Sequence, residues 1–142
     1  LTPMDANGKS DPYVVFDSRG CWQPNKKYKT KVLKSTLDPR WSHKDVPTVE
    51  GTCNDEASLR RSHLFLSVWD YDRGSADDLI GTCVLPLSQP WNTGAAVDFS
   101  ADILNNGKIH GHIAGRIQCH SSLSTVGLLD DDENASDEND DV

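Results

Sequence analysis

The chain of 142 residues lacks several features that would point to particular functions. It contains no apolar run as long as a transmembrane helix, so any membrane contact is expected to be peripheral. It also has no nucleophile elbow, no phosphate-cradling glycine loop and no zinc-protease helix, and we therefore expect no enzymatic activity. Basic residues are not in excess, and the formal net charge of -8 disfavours nucleic-acid binding.

Paired cysteines are also lacking. Cys21, Cys53, Cys83 and Cys119 are widely spaced without a metal-binding pattern, and no signal peptide precedes them in the sequence. We expect free thiols in a reducing cytoplasm. His110, His112 and His120 lie near Cys119, but no matching Cys or His pair occurs elsewhere, which favours surface histidines over a zinc site.

The negative charge is concentrated at the C-terminal end. Its eight carboxylates are Asp130, Asp131, Asp132, Glu133, Asp137, Glu138, Asp140 and Asp141. They account for the whole net charge, and residues 1–129 sum to zero. A segment with so little to bury predicts an acidic disordered tail over 121–142, after one folded domain over 1–120.

The rest of the chain is typical of an all-β protein. Short alternating segments bounded by Gly, Pro, Asn and Asp predict strands over 12–17, 27–34, 41–49, 63–70, 79–87 and 108–119. Segments 53–62 and 88–106 are predicted as loops that can include a short helical turn. In the last strand, alternation predicts one buried face, made of Ile109, Gly111, Ile113, Gly115, Ile117 and Cys119. Two antiparallel sheets packed face to face, with loops gathered at each end, are expected.

Two acidic loops stand out, Asp5–Asp11 and Asp70–Asp78. Calcium takes six to eight oxygen ligands, and neither loop supplies enough alone. If the fold joins them, their carboxylates repel one another until a cation binds. An EF-hand is excluded, because counting from Asp70 puts Ser75 where its glycine belongs and Gly81 where its glutamate belongs. The alternative is that each loop is an ordinary solvated turn.

The loops and their flanks resemble the C2 domains of conventional protein kinase C and synaptotagmin. Three segments carry the resemblance in the family's order, Met4–Val14, Lys29–Trp41 and Val68–Gly81. The resemblance implies an antiparallel eight-stranded β-sandwich. Because the sequence begins four residues before Asp5, at least one N-terminal strand of that fold is expected to be missing. A fragment and a permuted topology, in which the last strand fills that place, both remain open.

The resemblance also implies a site for Ca²⁺, with two ions. The family's carboxylate ligands match Asp5, Asp11, Asp70, Asp72 and Asp78. Its backbone carbonyl ligands match Met4 and Tyr71, and Ser75 offers one more oxygen. Protein oxygens alone leave such a site undersaturated, so lipid oxygens are expected to complete the coordination.

Lipid contacts are implied at two places. The family's phosphatidylserine positions hold Asn7, Arg73, Ser75 and Lys34, and its phosphoinositide surface matches Lys27, Lys29, Lys31, Tyr13 and Trp69. The match is incomplete, because Val15, Asp17 and Asp77 replace two lysines and an asparagine of the protein kinase C version. The acidic loop tips carry no large apolar residue, so docking is expected to be mainly electrostatic. Ordinary solvated side chains are the alternative at each position.

Three functions are consistent with these features. The first is calcium-dependent binding to anionic phospholipid membranes, with cytoplasmic localisation, to target an attached protein for signalling or membrane trafficking. The second is a calcium-independent protein-protein interaction module. The third is a regulatory fragment of a lipid-signalling enzyme, such as a kinase or a phospholipase.

Overall fold

The computed structural model describes residues 1–5, 8–19 and 22–121. Its strands are β1 (Pro12–Arg19), β2 (Trp22–Pro24), β3 (Tyr28–Lys29), β4 (Gly51–Cys53), β5 (His63–Asp70), β6 (Asp78–Pro86), β7 (Val97–Asn105) and β8 (Lys108–Ile117). Two short helices, α1 (Glu56–Arg60) and α2 (Ser88–Thr93), and a 3-10 helix (His43–Asp45) lie between them. Most of the expected tail, residues 122–142, lies outside the described residues, and its disorder stays a prediction.

The strands form an antiparallel sheet in the order β3-β1-β5-β6-β7-β8, with β2 and β4 paired separately. Among the described residues, the ladder between β6 and β7 has one register pair, Thr82 with Leu104. The buried core contains side chains from strands on both sides of this pair. It contains Val14, Trp22, Leu64, Leu66, Val68, Ile80, Cys83, Leu85, Leu87 and Ile103. The predicted antiparallel, eight-stranded all-β sandwich is confirmed.

Strand β5 shows how the sequence encodes the central sheet. Leu64, Leu66 and Val68 are buried, and the residues between them are only partly buried, as the period of two requires. The prediction of a strand over 63–70 is confirmed. The predictions over 12–17 and 79–87 are confirmed to within two residues at either end.

The strand predicted over 27–34 was too long, because β3 contains only Tyr28 and Lys29. The ladder with β1 stops at Thr30, whose hydroxyl accepts the backbone N–H of Val14 at 2.9 Å. Farther along, Pro12 has no N–H to donate, and its carbonyl accepts from Leu33 at 3.0 Å. The side-chain alternation nevertheless persists, since Tyr28 and Thr30 are buried and the lysines on either side are exposed.

Two other segment predictions were wrong. Residues 41–49 form no strand, because Ser42 and Asp45 make a capping box that starts the 3-10 helix. The loop predicted over 88–106 contains α2 and strand β7, nine residues long. Val97, Phe99, Ala101 and Ile103 face inward in alternation with exposed residues, and that alternation is the signal that could have revealed β7.

The buried face predicted for β8 is only partly present. Ile113, Ile117 and Cys119 pack against the core, but Ile109 is exposed. The register jumps from the pair Ile103–Gly111 to the pair Leu104–Ile109, which leaves His110 as an extra residue in β8. Such a bulge breaks the period of two and explains why Ile109 does not share the inward face.

Three of the cysteines lie among the described residues, and all three are free thiols. Burial raises the pKa of the Cys83 and Cys119 thiols to about 11. These two thiols therefore stay protonated near neutral pH and are poor nucleophiles.

Candidate metal centre

The two acidic loops meet at one end of the sandwich. Pro12 of β1 is in register with Asp70 of β5, and Asp70 is in register with Asp78 of β6. The loop that ends at Asp11 therefore lies beside the loop that runs from Asp70 to Asp78. A hydrogen bond joins them directly, from the backbone N–H of Asp11 to Asp70 Oδ1 at 2.8 Å.

Backbone hydrogen bonds shape the first acidic loop. The N–H of Asp5 donates to the carbonyl of Lys9 at 2.9 Å, and the N–H of Gly8 donates back to the carbonyl of Asp5 at 3.0 Å. Gly8 has a φ of 79°, a left-handed conformation that glycine adopts without strain. At the loop's end, Asp11 Oδ1 accepts the N–H of Ser35 at 2.6 Å. The loop is thereby closed with carboxylates at both of its ends.

The five predicted carboxylate ligands come together in two overlapping groups. One group is Asp5, Asp11 and Asp70, and the other is Asp70, Asp72 and Asp78. Within each group the candidate ligand oxygens lie within 4.8 Å of one another. Asp70 belongs to both groups and is 0% exposed. The arrangement therefore provides two adjacent oxygen-rich positions that share one buried carboxylate.

The negative charge of Asp70 is disfavoured by its surroundings. Burial, followed by contact with the Asp5 carboxylate, raises its pKa from 3.8 to about 6, although the hydrogen bond from the Asp11 N–H opposes the shift. Its second oxygen, Oδ2, is buried with no hydrogen-bond partner. Burial and the neighbouring Asp78 carboxylate also raise the pKa of Asp72. An orphaned carboxylate oxygen among like charges fits a hard divalent cation, because such an ion supplies the missing partner.

The raised pKa of Asp70 predicts an unusual pH dependence in the absence of calcium. The carboxyl binds its proton at about pH 6 in the folded state but near 3.8 in the unfolded chain. The folded state therefore holds more protons between these values, and the free energy of unfolding should rise as pH falls. We expect a gain on the order of 1–3 kcal/mol between about pH 7.5 and about pH 5. Urea unfolding in a calcium chelator measures this slope.

The control for this prediction is the Asp70→Asn variant, which keeps an acceptor for the Asp11 N–H but does not titrate. Its unfolding free energy should change less over the same pH range than that of the unaltered chain. Equal slopes for the two proteins would show that other groups, such as the histidines, set the pH dependence.

Asp77 is a site residue that was not predicted to be functional from the sequence. Its carboxylate accepts the hydroxyl of Tyr13 through Oδ2 and the backbone N–H of Asp72 through Oδ1, the latter at 3.0 Å. These two hydrogen bonds, the one from Asp72 first, lower the pKa of Asp77. Burial, followed by the bond to Asp77, raises the pKa of Tyr13 to about 12. Asp77 thus positions the backbone at Asp72. Its position in the sequence between two predicted ligands was the signal that could have identified it as a site residue.

The remaining predicted ligands are exposed residues next to, or between, the carboxylates in the sequence. Met4 directly precedes Asp5, and Tyr71 directly follows Asp70. Both residues are exposed. Ser75 is exposed in the second acidic loop and belongs to neither carboxylate group. Of the predicted phosphatidylserine contacts, Arg73 and Lys34 are exposed, and Asn7 lies outside the described residues.

The predicted phosphoinositide residues lie on the outer face of the sheet. Tyr13 and Trp69 are register partners on β1 and β5, and Lys29 Nζ lies 5.8 Å from the centroid of the Tyr13 ring. Lys27 and Lys31 are exposed on either side of β3. The structure therefore brings the aromatic pair and Lys29 together, but it adds the Asp77 carboxylate at the hydroxyl of Tyr13.

A β-sandwich with a composite carboxylate centre at one end is the architecture of a known domain family. A protein-family model described as "C2 domain" matches residues 1–102. The chain belongs to the C2 domain family. The resemblance of the acidic loops to C2 domains is thereby confirmed.

Curated relatives contain similar segments. Tricalbin-1 of Saccharomyces cerevisiae is 37% identical over 89 residues, which cover 63% of this chain and 7% of that protein. Human "Multiple C2 and transmembrane domain-containing protein 1" is 37% identical over 89 residues, covering 62% of this chain and 8% of that protein. The chain thus spans less than a tenth of the length of these relatives.

A solved structure with the same fold is a C2 domain of plant Extended Synaptotagmin 1. The match covers 82% of each chain with a TM-score of 0.61 at 18% sequence identity, which supports the shared fold. C2 domains are membrane-binding modules, commonly with bound Ca²⁺, and are not themselves catalytic. Within the part of the chain that the structure describes, no helix is long and apolar enough to cross a membrane.

Proposed function

We propose that this C2 domain binds anionic phospholipid membranes in response to calcium and thereby targets the protein that contains it. The observation that carries the proposal is Asp70, a fully buried carboxylate with an orphaned oxygen at the junction of two carboxylate groups. A protein that needed no cation there would gain stability from an uncharged residue. The burial of this charge is therefore best explained by a ligand that uses it.

Two calcium ions are the proposed stoichiometry, because the two carboxylate groups overlap only at Asp70. Three carboxylates per group fall short of the six to eight oxygens that calcium takes. Backbone carbonyls at Met4 and Tyr71 and the hydroxyl of Ser75 are proposed as further ligands. Phosphate or carboxylate oxygens of the lipid would complete the shell.

The proposed switch is electrostatic. In the absence of cation, five carboxylates at one end of the sandwich repel an anionic surface, and two divalent ions would neutralise four of these five negative charges. Arg73 and Lys34 lie exposed in the neighbourhood of the acidic loops, where their charges can reach lipid headgroups. With Asn7 and Ser75, they are the proposed phosphatidylserine contacts.

Vesicle sedimentation tests the proposal. The chain is centrifuged with vesicles of phosphatidylserine and phosphatidylcholine, with calcium or with a chelator, and vesicles of phosphatidylcholine alone serve as the control. We expect pelleting only with calcium and the anionic lipid. Equal pelleting with and without calcium would contradict the switch. No pelleting in either condition would favour the interaction-module alternative.

Phosphatidylserine, rather than a phosphoinositide, is the proposed principal lipid. The Asp77 carboxylate accepts the hydrogen bond of the Tyr13 hydroxyl on the outer face, and it adds a negative charge close to Lys29. A polyphosphate headgroup would have to displace this interaction and approach a like charge. The outer face is therefore proposed to bind phosphoinositides weakly.

Replacing Asp77 is expected to strengthen binding to phosphoinositides. The Asp77→Asn variant removes the charge but keeps an acceptor for the Asp72 N–H, so the metal centre should persist. We expect about a tenfold increase in affinity for phosphoinositide-containing vesicles, and little change on phosphatidylserine alone. Lipid titration at saturating calcium measures both.

The matched control adds Lys29→Ala and Lys31→Ala to Asp77→Asn. These changes should reverse the gain, because the cations that would receive the headgroup are gone. An equal gain for Asp77→Asn on both kinds of vesicle would contradict the specific role of Asp77 and would indicate a general effect of net charge.

The cellular setting is proposed from the same reasoning. Calcium-dependent docking suits a protein that is cytoplasmic and reaches membranes peripherally during signalling or trafficking. Such docking suits both a trafficking factor and a lipid-signalling enzyme. The folded region is proposed to end at residue 120, followed by the acidic tail over 121–142.

A further inference from the structure

The end of the β7–β8 hairpin exposes two large apolar side chains. Leu104 is 44% exposed and Ile109 is 64% exposed, although each lies within a strand of the sandwich. The two residues are register partners, so their side chains lie on the same face of the hairpin. Residues 104–109 are called the hairpin tip.

Local structure accounts for this exposure. Asn106 and Gly107 both adopt left-handed backbone conformations, with φ of 52° and 76°, as a two-residue hairpin turn requires. The bulge at His110 then breaks the alternation of β8 next to Ile109. The turn and the bulge hold Leu104 and Ile109 together in solvent as a paired apolar surface.

The hairpin tip lies at the same end of the sandwich as the metal centre. Asn105 Nδ2 donates to the carbonyl of Leu79 at 3.3 Å, and Leu79 directly follows Asp78. On the other side, the N–H of Thr2 donates to the carbonyl of His110 at 2.9 Å, and Thr2 leads into the first acidic loop. The tip is therefore tied to the chain segments that flank both acidic loops.

We propose that Leu104, Lys108 and Ile109 form a further membrane-contact surface, whose occupant is the same anionic bilayer that the metal centre docks onto. The inference rests on the proposed function. It is supported by the continuity of the tip with the metal centre and by its charge, since Lys108 is the sole ionisable residue of the tip. Paired aliphatic side chains beside a lysine suit the boundary between headgroups and acyl chains.

The hairpin tip adds an apolar component to the electrostatic membrane binding expected from the acidic loops. The tips of the acidic loops are polar, and an interaction through them alone is screened by salt. Apolar side chains that leave water contribute free energy that salt does not screen. The hairpin tip therefore predicts a salt-resistant component of calcium-dependent binding.

The test is vesicle sedimentation of the Leu104→Ser/Ile109→Ser variant at saturating calcium, in low salt and in high salt. We expect about a tenfold loss of partitioning at high salt, where the apolar component dominates, and a smaller loss at low salt. The matched control is Val84→Ser, because Val84 is 45% exposed on β6 but lies farther from the acidic loops than Thr82, the register partner of Leu104. This control should bind as the unaltered chain does.

The outcomes separate the inference from the proposed function. If the unaltered chain fails to pellet with calcium, the proposed function itself is wrong. If the unaltered chain pellets at high salt and the double variant pellets equally, only the hairpin surface is overturned. Circular dichroism of each variant establishes that the fold is intact, and Lys108→Glu supplies a second probe that should weaken binding at low salt.

Other occupants predict different results. If a second copy of the chain covers the pair, sedimentation velocity without vesicles will show a dimer that the Leu104→Ser/Ile109→Ser variant loses, and the membrane assignment is overturned. A monomer in both cases, together with the high-salt loss on vesicles, supports the bilayer as the occupant.

Discussion

Asp70→Asn together with Asp72→Asn is expected to reduce calcium-dependent vesicle binding to the level seen in a chelator. Asp70 belongs to both carboxylate groups and Asp72 to the second, so the variant leaves Asp5 and Asp11 in one group and Asp78 in the other. Those remaining oxygens are too few for a calcium ion. Sedimentation with phosphatidylserine vesicles across a calcium titration measures the loss.

The same variant should remain folded. Asparagine keeps an oxygen to accept the Asp11 N–H, and it removes a buried charge whose second oxygen has no partner. Without calcium, the variant is therefore expected to be more stable than the unaltered chain, because the charge repulsion in the centre is reduced. Loss of binding combined with gain of stability is a result that a misfolded variant cannot give.

A variant of equal charge provides the control. Asp98→Asn with Asp102→Asn also removes two carboxylates, but these are exposed on β7 and pair with Arg116 and His112. This control should keep calcium-dependent binding. If both double variants lose binding equally, net charge rather than the metal centre governs docking, and the proposed mechanism is wrong.

Two bound calcium ions are expected to raise the midpoint of thermal unfolding by about 15 °C in the absence of lipid. Each ion at a hundredfold excess over its dissociation constant adds about 2.7 kcal/mol, and a domain of this size gains a few degrees per kcal/mol. The ions also offset the desolvation cost of the buried Asp70 carboxylate and relieve its repulsion by Asp5. Differential scanning calorimetry with calcium and with a chelator measures the shift.

Measurements with magnesium and with the double variant test whether the thermal shift arises from calcium bound at the metal centre. Magnesium demands a tighter octahedral shell and gives up its water reluctantly, so it should shift the midpoint much less. The Asp70→Asn/Asp72→Asn variant should show little shift with either ion. A full calcium shift in that variant would place the stabilising ion elsewhere, with the acidic C-terminal segment as the next candidate.

Much of the fold could be predicted from local pattern. The alternation around Leu66 gave the limits of β5, and the residues that flank Asp70 and Asp78 gave the strand ends on which the centre is built. Strand β7 was missed despite its alternation, and two other errors arose where side-chain hydrogen bonds change the backbone path. Thr30 ended β3 early, and Ser42 with Asp45 converted an expected strand into a 3-10 helix.

The candidate site was predictable in its members but not in its arrangement. The types and spacing of the acids suggested cation ligands, yet the sharing of Asp70 between two groups depends on the register of β1, β5 and β6. The roles of Asp77 and of the hairpin tip depend on contacts across the fold, such as those of Tyr13 and Leu79. No local pattern specifies these contacts.

The sequence by itself determined that this is an all-β chain with acidic residues at strand ends, because face and turn preferences act over two or three neighbouring residues. Only the tertiary structure decided that the carboxylates converge, that one of them is buried with an oxygen that has no hydrogen-bond partner, and that the exposed apolar pair of the hairpin tip lies at the same end of the sandwich. The physical reason is that strand register and close approach are set by packing between residues far apart in the chain.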